Sequence, residues 1–350
     1  MNKVIEINGR KIGKGNPVYI IAEMSANHAQ DYDQAVKIIY AAKDAGADAI
    51  KLQTASPDGL TIDCDNKYFK INGLPLWEGL NLYNLYKKSH LPWEWQEKLV
   101  SVAAELGLDC FSSPAGRGAV EFLESINIPA YKIGSSDLND IILLEEVAST
   151  GKPIILSTGM STLKEIEQVI NYLVEYGAKD IALLKCTAAY PAKVKHMNLR
   201  TIPHLDSAFP YPIGLSDHSL GPEVSIASIS LGACIIEKHL TLSRIFETLD
   251  KGFSIEPNEF KEMVSSIRNV ELALGEITYD PTEEEKNTRK YRWSIFVIED
   301  IQSDEYFTEK NIRIIRPGFG IEPEHYKTIL GKRASENIKR GTPLSWNHIL

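Results

Sequence analysis

The sequence predicts an α/β protein, a (β/α)8 barrel followed by a small C-terminal module. Eight short, nearly continuous apolar runs recur through residues 19–241, as expected for strands buried on both faces of a parallel sheet. Segments with the apolar spacing of helices separate these runs. Residues 291–350 instead contain short strand-like pieces broken by glycine and proline.

Eight predicted strands alternate strictly with predicted helices in the barrel part, a pattern typical of a (β/α)8 barrel. The clearest helices are DQAVKIIYAAKDAG, which ends at a glycine, and STLKEIEQVINYLVEYG, which begins at Ser161 or Thr162 as N-cap. An open doubly wound sheet is the alternative, but no glycine-rich phosphate loop follows the first strand. The predicted strands are residues 19–25, 49–54, 109–114, 130–136, 153–159, 181–187, 212–219 and 234–241.

Composition excludes several classes of protein. The hydrophobic content of 43% and charged content of 24% are ordinary for a globular protein. The net charge of −9 argues against a nucleic-acid surface, yet permits a small anionic ligand held by local cations. No apolar stretch has the length of a signal peptide or membrane span, which predicts a cytoplasmic protein with no membrane partner. The cysteines, Cys64, Cys110, Cys186 and Cys234, lack paired spacing and are expected to be reduced thiols without a metal or catalytic role.

The domain boundaries follow from changes in composition. We expect the barrel domain, with a short N-terminal extension, at residues 1–276, a charged linker at 277–290 and the small domain at 291–350. So small a domain has a marginal core and is expected to dock on a partner surface. The segment 66–95, rich in tyrosine and tryptophan, is an insertion after the second strand. Its aromatic side chains either wall a sugar or pack against the barrel rim.

A barrel places functional groups at the carboxyl ends of its strands. His218 and His239 end consecutive strands, which lie about 4.8 Å apart, so both imidazoles can face one point. Two imidazoles and a carboxylate suit a divalent transition metal, with Glu23 across the barrel as the carboxylate or water-holding partner. The alternative is a pair of histidines satisfied by hydrogen bonds.

Lysines end the second and fourth strands. Lys51 and Lys132 are either Schiff-base nucleophiles or fixed cations for an anionic substrate. We expect no general base beside either lysine, and Ser113 and Ser216 can add hydrogen-bond donors, so anion binding is favoured. Asp250, beyond the last strand, either orients a hydroxyl or transfers a proton, or is a solvated loop residue.

The motifs together resemble the sialic acid synthase family, whose members condense phosphoenolpyruvate with an amino-sugar aldehyde. The resemblance covers nearly the whole chain. Its C-terminal part, with RPGFG and GKRASENIKRGTPL, is similar to the family's antifreeze-like domain. The barrel motifs are AEMSANH, KLQT, FSSP, YKIGSSD, PIILSTGMS, CTAAYP, GLSDHS, EKHLT and LDKGFSIEP.

The resemblance implies a TIM barrel followed by an antifreeze-like (SAF-type) domain, exchanged across a homodimer so that it caps the partner's barrel. It implies that His218 and His239 bind Mn²⁺ or Mg²⁺, with Co²⁺ as an alternative. Glu23, Lys51, Lys132 and Asp250 would then be catalytic. The substrate-binding residues it implies are Gln53, Ser113, Ser135, Asp137, Tyr190, Ser216 and, from the other subunit, Arg316.

The implied reaction is that of a transferase. C3 of phosphoenolpyruvate attacks the aldehyde, water adds at C2, and phosphate leaves by C–O cleavage. Ala188 stands where neuraminate synthases commonly have asparagine, and the aromatic insertion resembles the branch that uses 2,4-diacetamido-2,4,6-trideoxy-altrose. We therefore expect that sugar, because apolar burial suits its methyl and acetamido groups. The alternatives are N-acetylmannosamine, the legionaminic precursor, and a non-catalytic carbohydrate-binding barrel.

Overall fold

A closed barrel of eight parallel strands forms the larger part of the molecule, which confirms the predicted fold class. In the computed structural model the structure describes residues 3–72 and 77–350. The chain divides into two compact units, Met1–Gly275 and Glu276–Leu350. Within the described parts of the chain, no helix combines the length and apolar character needed to cross a membrane.

The barrel strands lie side by side in chain order, and each overlaps one of the predicted runs. An N-terminal hairpin precedes them, formed by β1 (Val4–Ile7) and β2 (Arg10–Gly13). The barrel strands are β3 (Tyr19–Glu23), β4 (Ala49–Ala55), β5 (Asp109–Ala115), β6 (Tyr131–Ile133), β7 (Ile154–Ser157), β8 (Ile181–Cys186), β9 (Ile213–Asp217) and β10 (Ile235–His239). β10 pairs with β3, which closes the ring.

Helices cover the outside of the barrel. Apolar residues of the strands pack there against helices such as α1, α7 and α10, and together they form the largest core cluster. The helices of this unit are α1 (Tyr32–Asp44), α2 (Pro57–Leu60), α3 (Leu82–Ser89), α4 (Trp93–Glu105), α5 (Ala119–Ser125), α6 (Ile141–Ser149), α7 (Leu163–Glu175), α8 (Thr201–Ala208), α9 (Glu223–Ser230) and α10 (Pro257–Leu274).

The hairpin β1–β2 closes the amino-terminal end of the barrel. Ile5, Ile7 and Ile12 are buried in one cluster with the inward side chains of the strands, among them Tyr19 and Phe111. The hairpin turns at Asn8 and Gly9, which have positive φ angles of 49° and 79°. One end of the barrel is therefore filled with apolar side chains, and polar inward residues lie toward the other end.

The second unit has a core of its own. β11 (Ser294–Val297) and β12 (Ile312–Ile315) pair in antiparallel fashion, and α12 (Tyr326–Ile329) follows. Isoleucines from along the unit, such as Ile301, Ile321 and Ile338, are buried with Phe307. The charged segment predicted as a linker contains a short helix, α11 (Glu283–Thr288), whose N-cap Thr282 forms a capping box with Glu285.

Candidate active site

Polar side chains line the barrel interior at the carboxyl ends of the strands. Side chains alternate along a strand, so each of these polar residues lies two positions after an apolar residue that also points inward. Lys132 lies two positions after Ala130, and Glu237 lies two positions after Ile235. The strand register places Glu23 beside both Lys51 and His239, so its predicted position across the barrel from the histidines was wrong. It places Gln53 beside Ser113. Most of the residues predicted for the site therefore share one end of the barrel.

The carboxyl end of the barrel is its mouth, and two lysines and two glutamates form a buried floor there. Lys51 Nζ lies 2.5 Å from Glu23 Oε2 and 3.9 Å from Glu237 Oε2. Lys132 Nζ lies 3.9 Å from Glu237 Oε1. The expectation that no general base lies beside either lysine was wrong, because the barrel closes β10 onto β3 and brings both carboxylates to them.

Burial and the charges of neighbouring side chains together set the pKa values of these two glutamates and two lysines. Burial, together with the charge of Glu237, raises the pKa of Glu23 to about 7 despite the neighbouring Lys51. Burial also opposes the charge of Glu237, but Lys132 and Lys51 outweigh it and lower its pKa. Burial lowers the pKa of Lys132, whereas Glu23 and Glu237 overcome burial at Lys51 and raise its pKa. Glu23 is thus the carboxyl group poised to exchange a proton near neutral pH.

Hydrogen bonds hold the two glutamates in place. Gln53 Nε2 donates to Glu23 Oε1 at 3.1 Å, and the backbone N–H of Ser25 donates to the same oxygen at 2.9 Å. Ser216 Oγ donates to Glu237 Oε1 at 2.9 Å. The hydroxyl of Ser216 is therefore bonded to the carboxylate of Glu237. The anionic substrate predicted to bind Ser216 would have to compete with Glu237 for this hydroxyl.

The remaining predicted polar residues lie around the lysines. Ser113 Oγ donates to the carbonyl oxygen of Lys132 at 3.0 Å, and Ser135 Oγ accepts the N–H of Gly159 at 2.9 Å. Burial raises the pKa of Asp137, although Ser136, Lys132 and Lys51 act against the shift. Ser113, Ser135 and Asp137 thus lie on the side of the mouth formed by β5, β6 and β7.

The two predicted metal-binding histidines face each other, with ring centroids 5.1 Å apart. His218 Nδ1 lies 3.2 Å from the carbonyl oxygen of Thr187, which can only accept, so Nδ1 is the donor in this contact and Nε2 is the nitrogen that a ligand could use. His239 Nδ1 is buried and has no hydrogen-bond partner in the described chain. Burial and the neighbouring His218 hold the pKa of His239 well below its usual value, which leaves a neutral imidazole with an available nitrogen.

Cys186 lies beside the histidine pair. Its Sγ is 3.8 Å from His218 Nδ1. Burial opposes a thiolate here, but His218 and Ser135 outweigh it and lower the pKa of Cys186. Burial likewise opposes charge on His218, and Cys186 and the Thr187 carbonyl outweigh it, so the pKa of His218 is raised. The described residues contain no group of three or more histidine, cysteine, aspartate or glutamate side chains arranged to hold a metal ion.

An aromatic wall borders the histidines. The ring centroid of Tyr190 lies 4.5 Å from that of His218 and 5.0 Å from that of Phe253. The ring centroids of Phe253 and His239 lie 4.8 Å apart. Trp77, from the insertion, extends this wall by contacting Tyr190 at 5.9 Å.

The other tryptophans of the insertion pack on the barrel rim. Trp93 stacks on Phe122 with centroids 4.8 Å apart, and Trp95 contacts Tyr32 at 5.7 Å. The insertion therefore contributes Trp77 to the aromatic wall and packs Trp93 and Trp95 on the rim. Its residues 73–76 lie outside the described residues.

Asp250 is buried, with 8% of its surface exposed, so it is not a solvated loop residue. Its Oδ2 accepts hydrogen bonds from Ser25 Oγ and, at 3.1 Å, from the N–H of Ala26. Burial raises its pKa, although these donors act against the shift. Asn27 fixes the same loop, because its side chain bonds Ser254 Oγ at 2.8 Å and Leu240 O at 3.0 Å.

Known families match almost the whole chain. The model described as NeuB family matches residues 38–279, and that of the SAF domain matches residues 292–350. The chain belongs to the NeuB family. Both the fold and the resemblance to sialic acid synthases predicted from the sequence are thereby confirmed.

Relatives of the same kind share most of this chain's length. The pseudaminic acid synthase of Helicobacter pylori is 44% identical over 336 residues, which cover 95% of this chain and 98% of that protein. The pseudaminic acid synthase of Campylobacter jejuni is 42% identical over 327 residues, covering 93% and 95%. Among solved structures, the N-acetylneuraminic acid synthetase of Leptospira borgpetersenii, in complex with citrate, is 31% identical with a TM-score of 0.72, covering 82% and 95%.

A buried ion pair lies behind the two histidines of this NeuB-family barrel. Asp217 precedes His218 and Lys238 precedes His239, and both side chains point outward toward α9. Lys238 Nζ lies 2.8 Å from Asp217 Oδ2, and neither side chain is exposed. Ser225 Oγ also donates to Asp217 Oδ2, at 2.7 Å. Asp217 thus ties β9 to β10 and to α9.

Arg316 belongs to the SAF unit. It is exposed, and its guanidinium lies 5.3 Å from the centre of the Trp293 ring. Both side chains line a cavity of about 380 Å³ within that unit.

Three residues near the site received no role from the sequence. Glu237 could have been found from the alternation in IIEKH, which puts it on the same face as His239. The same alternation predicts that Lys238 points outward, into the space between the strand and the surrounding helices. Phe253 gives no such signal, because it lies in a loop without a periodic pattern.

Proposed function

We propose that the protein is a pseudaminic acid synthase. It would condense phosphoenolpyruvate and water with 2,4-diacetamido-2,4,6-trideoxy-altrose, giving a nine-carbon nonulosonic acid and phosphate. The observation that carries this proposal is the close association of a lysine-bearing floor, a pair of facing histidines and an aromatic wall at one barrel end. The similarity to two pseudaminic acid synthases at 42% identity or more supports the choice of sugar.

The two histidines fit a divalent metal. Both rings are buried, face each other and keep a nitrogen for a ligand, and His239 Nδ1 has no partner in the described chain. Two imidazoles depart from the all-oxygen ligand sets typical of Mg²⁺, and the resemblance to sialic acid synthases implies Mn²⁺ or Mg²⁺, so we propose Mn²⁺ first, with Co²⁺ as an alternative. When bound, the metal would supply Lewis-acid polarisation of the sugar aldehyde.

The lysine-bearing floor would bind phosphoenolpyruvate. Lys51 and Lys132 would direct their ammonium groups at the phosphate and the carboxylate of this anion. Ser113 and Ser135 would add donors around the phosphate. These groups would also stabilise the charge that moves onto phosphate as the C–O bond breaks.

Two carboxyl groups would move the protons. The C2=C3 π electrons of phosphoenolpyruvate form the bond from C3 to the aldehyde carbon and leave C2 electron-deficient, and the aldehyde oxygen takes a proton from Asp250, whose pKa burial raises. Water then adds at C2 and gives up a proton to the carboxylate of Glu23. Collapse of this tetrahedral intermediate forms the C2 carbonyl, breaks the C–O bond and releases phosphate, which takes the proton of the C2 hydroxyl.

A phosphate-release assay with three sugars tests the proposal. We expect the highest kcat/KM with the 2,4-diacetamido-trideoxy sugar, and lower values with N-acetylmannosamine and the legionaminic precursor. Turnover with N-acetylmannosamine alone would overturn the choice of sugar. Loss of activity with a chelator, and its return with Mn²⁺ in the wild type but not in His218→Ala, would exclude a non-catalytic carbohydrate-binding barrel.

The setting of the enzyme is a further part of the proposal. We propose a cytoplasmic homodimer, since phosphoenolpyruvate is a cytoplasmic metabolite. In this dimer Arg316 of the partner subunit would reach the sugar. The exposed guanidinium of Arg316 supports this role, because it is held by an aromatic ring and remains available to an oxygen acceptor.

A further inference from the structure

Trp77 is the described residue of the insertion that reaches the aromatic wall. Two ring contacts, of 5.9 and 4.5 Å, link its indole through Tyr190 to the imidazole of His218. An open-chain six-carbon sugar whose aldehyde lies at the histidines can span this length. The indole is therefore placed beyond the reacting carbon, toward the part of the sugar that bears the C4 substituent.

The indole N–H of Trp77 has no hydrogen-bond partner among the described residues. Its Nε1 is buried, yet it donates no hydrogen bond within the described chain. A buried N–H left without an acceptor is costly, and such groups in native proteins usually serve a ligand or an ordered water. By contrast, Trp93 of the same insertion donates to the carbonyl oxygen of Ala55 at 3.4 Å.

The surroundings of Trp77 favour a ligand that is both apolar and able to accept a hydrogen bond. Tyr190 and Phe253 present aromatic faces. Ala188, two residues before Tyr190, adds a methyl group and no donor. An acetamido group combines a methyl with a carbonyl oxygen, whereas a hydroxyl offers no apolar surface.

We propose that Trp77 is a specificity-determining residue that binds the acetamido group on C4 of the sugar. Its N–H donates to the amide carbonyl oxygen, and the aromatic wall packs against the methyl group. This inference rests on the proposed function, and it adds a residue that discriminates the diacetamido sugar from sugars with a hydroxyl at C4.

The test compares Trp77→Phe, which keeps a ring but removes the N–H, with the control Trp93→Phe. Loss of one buried hydrogen bond corresponds to a rise of about tenfold in the KM for the diacetamido sugar. The KM for phosphoenolpyruvate should stay unchanged, and the preference over N-acetylmannosamine should fall by a similar factor. Trp93→Phe should keep both KM values and the preference, because that ring packs on the rim.

Two results would overturn the inference. One is a Trp77→Phe variant with the wild-type preference between the sugars. The other is an equal rise in the KM values for both substrates, which indicates a general distortion of the site. If the wild type releases no phosphate with any sugar, the proposed function fails separately. Calorimetric titration of the diacetamido sugar into wild type and Trp77→Phe then decides the inference by itself, since equal affinities contradict it.

Discussion

Glu23 lies between opposing influences that set its protonation near neutral pH. Burial and Glu237 favour the neutral acid, and Lys51 at 2.5 Å favours the carboxylate. Because burial outweighs Lys51 only in part, the pKa is raised to about 7 rather than further. A carboxyl group in this range is partly ionised near neutral pH, and its carboxylate form can accept a proton from water.

Replacement of Glu23 tests this role. Since its pKa is raised to about 7, the carboxylate form increases as the pH rises through that value, and kcat should rise with it. Glu23→Gln should lower kcat by roughly 10²- to 10⁴-fold and remove this limb of the profile. The measurement is phosphate release between pH 5.5 and 8.5, about 1.5 units either side of the pKa. Glu124→Gln, outside the mouth, is the control, and an unchanged profile in Glu23→Gln would disprove the assignment.

The strand-end rule identifies some residues of the site and not others. His218, His239, Lys51 and Lys132 were predicted because each ends an apolar run, and parallel strands of a barrel end at one rim. That rule gives no distances, so it could not show Glu237 lying between the two lysines. Contacts across the barrel depend on its closure, which a local pattern does not specify.

At the scale of elements, the pair Asp217–Lys238 joins two strands and a helix. Each of its residues adjoins a histidine of the candidate metal site, and the pair is inaccessible to water. Two hydroxyl groups, from Ser219 and Ser225, complete the hydrogen bonds of the carboxylate. A buried ion pair that is fully hydrogen-bonded fixes relative position, here that of the β9 and β10 ends.

Removal of Lys238 should destabilise the barrel strongly. Lys238→Met leaves the carboxylate of Asp217 buried without its cation, at a cost of roughly 3–5 kcal/mol in the free energy of unfolding. Urea denaturation followed by circular dichroism measures this loss. Asp217→Asn combined with Lys238→Met should recover part of it, since no lone charge remains.

The matched control is the ion pair of Lys152 and Glu124, whose carboxylate side chain is 40% exposed. Lys152→Met should cost less than about 1 kcal/mol. If Lys238→Met were no more costly than Lys152→Met, the pair would not be what holds the two strand ends together.

The elements themselves were largely predictable, with one exception. The eight barrel strands have a strong signal because both of their faces are buried. The hairpin β1–β2 was missed, although Asn8-Gly9 between alternating side chains is a local signal for such a turn. Its packing into the end of the barrel could not be predicted, because it depends on contacts with strands distant in the sequence.

At the scale of the whole molecule, the function proposed for Arg316 depends on the dimer. The SAF unit has its own buried core, and Arg316 lies on its surface beside Trp293. If the unit caps the partner's barrel, each active site combines His218 of one chain with Arg316 of the other. A site made within one chain would combine both from the same chain.

Mixed dimers separate these two arrangements. His218→Ala and Arg316→Ala should each be nearly inactive alone. In a heterodimer of the two variants, an exchanged arrangement gives one site with both defects and one site with none. Heterodimers purified through two different tags should therefore show about half the wild-type kcat, because one of two symmetric sites is intact. Without exchange, every site carries one defect and the heterodimer stays inactive, which would contradict capping by the partner. A heterodimer of wild type with the double variant is the control and restores one site only in the arrangement within one chain.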